Sequence, residues 1–451
     1  MITRNIQIAF SLLCVAVIAL PVTAQEEPAP VSFRKDIAPI LINNCLACHG
    51  PKKAEGGYRV DSYSRFIAAG DSELAAITAS NLDDSESLRR ILSEDEADRM
   101  PLEGDPLPKE QTDLISRWIT EGAKYDAENP EAALSAIVPP PVYPDPPEAY
   151  PRSVPITAIA FSPDGANVVA GGYHELTVWN AADGTLVSRI KNVGQRSYAI
   201  QYSPDGALLA VGGGAPGRLG EVRLFDAASG ELKSVVASTS DVILDVAFNP
   251  AGDRIALAGA DGAIRIHEVA TGAEQRVITS HSDWVMAIAW NGDGTRLASA
   301  SRDKTSKLFN TENGELLVTY SGHGQPVKGV VFHPAGDKVF SSGSDNKIHL
   351  WAVADGKKAS EVALGGEVYK LTRSGGFVFA PSADKTVRQF EEGSHTEVRS
   401  YTGNADWALA AAFHPETKRV VSGAFNGDVK IWNAEDGAEI ATFVAAPGIA
   451  K

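Results

Sequence analysis

The sequence predicts a multidomain protein: a small all-α domain followed by an all-β, seven-bladed β-propeller. Three observations carry this. In the first third, apolar residues recur at helical spacing, as in Ile37, Ile40 and Leu41, and again in Leu114, Ile115, Trp118 and Ile119. Eight prolines then crowd residues 130–151. Beyond them, a unit of about 42 residues recurs seven times, and a period of that length is what a propeller blade needs.

Composition sets the frame. The chain has 451 residues, enough for two domains, with 44% apolar and 22% charged residues. A formal net charge of −16 argues against nucleic acid and anionic membrane surfaces as partners. Residues 1–24 read as a secretory signal peptide. Arg4 supplies the positive start, Ile6 to Val22 is apolar apart from Gln7 and Ser11, and Val22-Thr23-Ala24 is a small-residue exit. The expected location is therefore outside the cytoplasm, in a bacterial periplasm or cell envelope. Cleavage leaves no stable membrane span, whereas retention leaves an anchor. Cys14 lies in the removed stretch, so the mature chain keeps only Cys45 and Cys48.

Residues 25–129 form the predicted helical domain. Ser32 can N-cap a helix starting at Phe33. Further helices are expected over Glu86–Ser93 and Lys109–Glu121, the latter stopped by Gly122. The first helix leads into Cys45-Leu46-Ala47-Cys48-His49. Cys-x-x-Cys-His is the attachment motif of c-type haem: two thiols form thioethers with the vinyl groups, and the adjacent imidazole is the proximal iron ligand. Zinc needs more Cys or His ligands, and this domain has none. A redox dithiol expects a strand–helix sheet context that the pattern here does not supply. One covalent haem c is the expected cofactor. Between Gln25 and Pro151 the only methionine is Met100 and the only histidine is His49. Met100 is therefore the candidate second axial ligand, a soft thioether followed by the stiffening Pro101. The other reading of Met100 is a core filler.

Residues 130–151 are read as a proline-rich linker of extended, semi-rigid character. Residues 152–446 carry the repeats. Their strand ends are Val178-Trp179-Asn180, Leu224-Phe225-Asp226, Ile266-His267-Glu268, Leu308-Phe309-Asn310, Leu350-Trp351-Ala352, Gln389-Phe390-Glu391 and Ile431-Trp432-Asn433. Turns such as Ser162-Pro163-Asp164-Gly165 precede most of them. These units resemble WD40 repeats, with blade five the closest through Gly322-His323, Asp345 and Trp351. The resemblance implies a buried network of the His, the turn Asp, a Ser or Thr and the Trp. Blade four has Phe309 for the Trp, blade three has His267 there, and blade six lacks the Gly-His pair. The last unit has its own outer strand, Glu439–Val444, so the seam between blades one and seven is expected to rest on side-chain packing alone. Gly212-Gly213-Gly214 is read as a loop, His333 and His414 as turn residues, and Met286 as core.

Residues 33–125 also resemble the planctomycete-type cytochrome c domain. The matching stretches are Phe33 to Leu41, Cys45 to His49, Gly56-Gly57-Tyr58-Arg59-Val60-Asp61-Ser62, Arg99-Met100-Pro101 and Leu114 to Ala123. The family motif reads Met-Pro-Pro, and Leu102 stands at its third position here. The resemblance implies haem binding and one-electron transfer, with redox partner proteins undefined and the propeller serving as a protein-docking platform. No catalytic residue is predicted, so an electron carrier is expected rather than an enzyme. Two other readings stand beside it. One is a catalytic haemoprotein of the cytochrome cd1 type with its active site in the propeller; the other is a non-redox scaffold or sensor.

Overall fold

The computed structural model describes residues 29–46, 48–50, 53–102, 104–140 and 142–449. The signal segment and Cys14 lie outside the described residues. The chain divides into two compact units, residues 1–139 and 140–451.

The first unit is only partly helical, so the all-α expectation needs correction. Its helices are α1 (Ala38–Asn44), α2 (Tyr63–Ile67), α3 (Glu86–Ile91), α4 (Lys109–Thr120) and α5 (Leu134–Ile137), with a wider π turn over Phe33–Ile37 leading into α1. Ser32 caps that turn as expected, its hydroxyl accepting the Lys35 N–H at 3.0 Å. Residues 68–85 stay irregular because Gly70, Asp71, Ser72, Ser80, Asn81, Asp83 and Asp84 favour turns over helix. The Asn81 side-chain amide, for example, donates to the Asp84 carboxylate and accepts the Asp84 N–H.

The core gathers on α4. Ile115, Trp118 and Ile119 are buried against Phe33, Ile37, Leu41 and Phe66. Trp118 stacks on Phe66, with centroids 5.9 Å apart, and its indole N–H reaches the Lys124 carbonyl at 2.9 Å. Leu134 is also buried in this cluster, so the start of the proline-rich stretch packs into the first unit.

The second unit is the predicted propeller: seven four-stranded antiparallel sheets, each in chain order. The blades run over residues 159–190, 196–239, 243–278, 285–320, 327–363, 372–401 and 408–444. Local chemistry sets the turns. In blade one, Ser162 Oγ accepts the Asn167 N–H at 2.9 Å and Asp164 accepts that of Ala166 at 3.0 Å. Gly212 to Gly214 are not a loop but part of the strand Leu208–Ala215. Only glycine fits there, since a Cβ on Gly213 would lie 2.0 Å from the Arg196 carbonyl oxygen. Met286 is half-buried and lies outside the blade clusters, unlike its neighbours Val285 and Ala287.

No strand is exchanged at the seam, since Glu439–Val444 pairs within its own blade. Trp179 stacks on Phe443, centroids 4.7 Å apart, inside a shared apolar cluster. Packing does not act alone, however. The Ile156 N–H donates to the Ala424 carbonyl at 3.1 Å, the Tyr150 N–H to that of Pro447 at 2.8 Å, and His414 Nε2 to that of Pro163 at 3.1 Å.

The rest of the proline-rich stretch is strapped to blades one and two. Glu175 is fully buried and forms a bidentate pair with Arg189, at 2.5 and 2.7 Å. It also accepts the Tyr150 hydroxyl at 2.7 Å. The outer side of the Arg189 guanidinium donates to the carbonyls of Pro147 and Glu148. Further along, Arg223, paired with buried Glu221, lies over the Tyr143 ring at 4.5 Å.

Candidate functional site

The Cys-x-x-Cys-His segment is shaped by the end of α1. The Cys45 N–H closes the last turn on the Leu41 carbonyl at 2.9 Å. The Cys45 carbonyl then accepts both the Cys48 N–H at 3.2 Å and the His49 N–H at 3.0 Å. This tight turn brings Cys45, Cys48 and His49 together. Both thiols are free, Cys45 half-buried and Cys48 exposed. Burial, with the neighbouring Cys48, pushes the Cys45 thiol up to about 11.

The His49 imidazole is oriented. Its Nδ1 lies 3.2 Å from the Tyr58 carbonyl, which can only accept, so Nδ1 donates, and in the neutral ring Nε2 is the acceptor nitrogen. The Val60 N–H returns to the His49 carbonyl at 2.8 Å. The chain gets from one to the other through Gly56 and Gly57, both at φ +62. Those left-handed φ values favour glycine at both positions of the turn.

Tyr58 is the residue that sequence reasoning quoted without giving it a role. Its hydroxyl donates to the Phe66 carbonyl at 2.7 Å and accepts from Ser87 Oγ at 3.0 Å. Burial raises its phenol. The only signal for this role was its place directly after the glycine pair.

Met100 comes from a separate loop. Its N–H donates to the Arg90 carbonyl at the end of α3, at 3.0 Å. It is half-exposed and stands outside the cluster of apolar residues around α4. Leu92 and Leu102, which flank it in sequence, are 53% and 50% exposed. The donor types fit a c-type haem: two free thiols beside an imidazole oriented through Nδ1, and a thioether outside the apolar cluster.

Two places in the propeller invite comparison. His323, Asp345 and His349 bring ligand atoms within 4.8 Å of one another. The two imidazoles are stacked at 4.0 Å and 11°, so their in-plane lone pairs run side by side and do not converge on one ion. Both nitrogens of His323 are also committed, Nδ1 to Asp345 at 2.9 Å and Nε2 to Ser341 at 2.8 Å. His281 repeats that pattern with Asp303 and Ser299 in blade four. The expected network stops at the serine, since Trp351 Nε1 finds no acceptor among the described residues and the ring instead stacks on Tyr320 at 5.3 Å.

The second place is the central channel, a cavity of about 770 Å³ lined by the inner strands. Buried Asp245 of blade three pairs across it with Lys370, just before the first strand of blade six. The same carboxylate accepts the N–H groups of Val246 at 2.8 Å and Ile288 at 3.0 Å, so this pair is a brace. Among the described residues no helix is long and apolar enough to cross a membrane, which leaves strands unaddressed.

Comparison with known proteins follows the same division. Residues 45–104 match the family described as Planctomycete cytochrome C. Residues 150–180, 230–268, 272–310, 314–352 and 395–433 match the WD domain, G-beta repeat. The gaps between these matches hold most of blades two and six, which carry the glycine-rich strand and lack the Gly-His pair respectively. No curated protein matches the chain. The chain thus joins a planctomycete-type cytochrome c domain to a WD40-repeat propeller.

Proposed function

We propose that this protein is an exported one-electron carrier: one haem is fixed covalently by Cys45 and Cys48 and ligated by His49 and Met100, and the propeller docks a protein partner. The observation that carries the proposal is the turn at the end of α1, with its two free thiols and an imidazole whose Nδ1 is held by the Tyr58 carbonyl. When bound, the haem supplies a reversible Fe(III)/Fe(II) couple.

The chain's own residues do the rest. Cys45 and Cys48 fix the macrocycle in place. The Tyr58 carbonyl orients the His49 ring through Nδ1. Met100 offers a neutral, soft donor, which raises the potential relative to a second imidazole. The first-unit surface near Met100 is rich in carboxylates, among them exposed Glu94, Asp95, Glu96 and Asp105, and so suits a basic redox partner. Export is supported by the composition of residues 1–24 and by the location that thioether attachment requires in a bacterial cell.

The test is a pyridine haemochrome assay on exported protein. We expect one c-type haem per chain that stays with the protein in acidified acetone, and its loss in the Cys45→Ala/Cys48→Ala variant. Met100→Ala keeps the haem and loses the far-red Met–Fe(III) absorbance band. A second haem type would point to a reductase, and a colourless parent protein ends the proposal.

A further inference from the structure

We propose that Tyr58 is a positioning residue that ties the His49 side of the haem site to the Met100 side. This rests on the haem reading above and deepens it. One residue serves both sides. Its main-chain carbonyl holds His49 Nδ1 at 3.2 Å, and its ring packs edge-on to the imidazole, centroids 5.4 Å apart. Its hydroxyl reaches the Phe66 carbonyl at the end of α2 and is held by Ser87 on α3. In the last turn of that same helix, the Arg90 carbonyl accepts the Met100 N–H.

The path from imidazole to thioether therefore runs His49, Tyr58, Ser87, α3, Met100. Every link but the helix itself is a hydrogen bond or the rigid span of an aromatic ring. The phenol sits where a hydrocarbon ring would fill the same space, so packing alone does not call for a hydroxyl. The hydroxyl's two bonds instead set where α3 lies relative to the imidazole, and so where the Met100 loop starts. Without them the loop keeps its Arg90 anchor, but that anchor is no longer registered to His49.

The experiment uses the full chain carrying its haem, with Tyr58→Phe and Ser87→Ala, and Ser87→Thr as the variant that keeps the hydroxyl. Imidazole is titrated as a competitor for the Met100 position, read by loss of the far-red band. Loss of one hydrogen bond in the path predicts displacement at a roughly three- to tenfold lower imidazole concentration in Tyr58→Phe and Ser87→Ala. Ser87→Thr should titrate like the parent. A haem-independent readout is hydrogen exchange at residues 98–102 in haem-free protein, which should quicken in the same two variants only. Ser87→Ala, the milder change, keeps the test open if Tyr58→Phe does not fold. Parental imidazole midpoints and exchange rates in both variants, with haem still attached, overturn the coupling and leave the haem reading standing. A parent with no covalent haem, or with no far-red band, overturns both.

Discussion

Removing Glu175 should loosen the strap from the propeller and cost more than any single exposed ion pair. The carboxylate is fully buried, and three groups converge on it: two Arg189 nitrogens at 2.5 and 2.7 Å and the Tyr150 hydroxyl at 2.7 Å. Arg189 is itself only 20% exposed, so Glu175→Ala strands a guanidinium that solvent reaches poorly. Breaking a buried pair from one side typically costs about 3–5 kcal/mol; the partial exposure of Arg189 places the expectation near the lower end, about 3 kcal/mol. In a unit of this size that is a fall in Tm of roughly 4–5 °C. Tyr150→Phe removes one bond to a charged acceptor and leaves the Tyr173 N–H without its partner, an expected loss of about 1–2 kcal/mol. Because both variants break the same knot, the double variant should be less destabilised than the sum by about 1 kcal/mol. Urea unfolding of the propeller gives the energies, and limited proteolysis within residues 142–150 reports the strap directly. If Glu175→Ala costs under about 1 kcal/mol, or leaves the segment as protease-resistant as before, the strap is not held by this knot and the argument fails.

Three further outcomes are expected. Phe443→Ala should open the seam between blades one and seven, costing about 3 kcal/mol and raising hydrogen exchange in residues 156–161 and 441–445 before other blades respond. Gly213→Ala should misfold or strongly destabilise blade two, seen as loss of soluble protein, because the added methyl has backbone on its far side. Acid should weaken blade five. Burial and the stacked His323 hold the His349 imidazole down at about 4, below the 6.5 of an unfolded chain. The folded state therefore resists protonation, and stability is complete above about pH 6.5 and falls as pH drops towards 4. Discounted for solvent screening, the loss by pH 5 should be about 1–2 kcal/mol. His349→Gln should flatten that slope in a pH series of urea midpoints.

What the sequence made legible was local. The Cys45–His49 motif lies within five residues, and each blade repeats turns of four, so spacing alone exposes them. Ser32 and α4 were legible for the same reason, a cap and a helical period. Tyr58 was not, because its partner Ser87 lies 29 residues on and nothing in either residue's type announces the bond. The strap escaped too. Prolines signal extended chain and nothing about what that chain lies on, while its anchors are Glu175, just before the strand Leu176–Asn180, and Arg189, on the outer strand Leu186–Ile190, whose pairing no local pattern announces. The irregular stretch 68–85 was read too generously as part of a helical domain, although its Asp, Asn, Ser and Gly content already favoured turns. The glycine triplet failed in the opposite direction. Loop chemistry was inferred from residues that are there because two strands and a carbonyl leave no room for a side chain.

His281, His323 and Asp245 of the propeller are fully committed, whereas His267, His349 and His49 are each held at Nδ1; what sets His49 apart is the pair of thiols beside it. In the propeller, His281 and His323 have both ring nitrogens engaged, and Asp245 has its carboxylate filled by two backbone N–H groups and Lys370. Groups so committed hold blades together and have no valence left for a substrate or metal. In the first unit, among the described residues, His49 is committed at Nδ1 alone, and the thiols beside it are unbridged. A half-committed imidazole next to two free thiols, on a turn fixed by three backbone hydrogen bonds, is oriented for one incoming group. Geometry of that kind costs conformational freedom without filling the site, which is the pattern expected when a cofactor rather than the fold itself is to complete it.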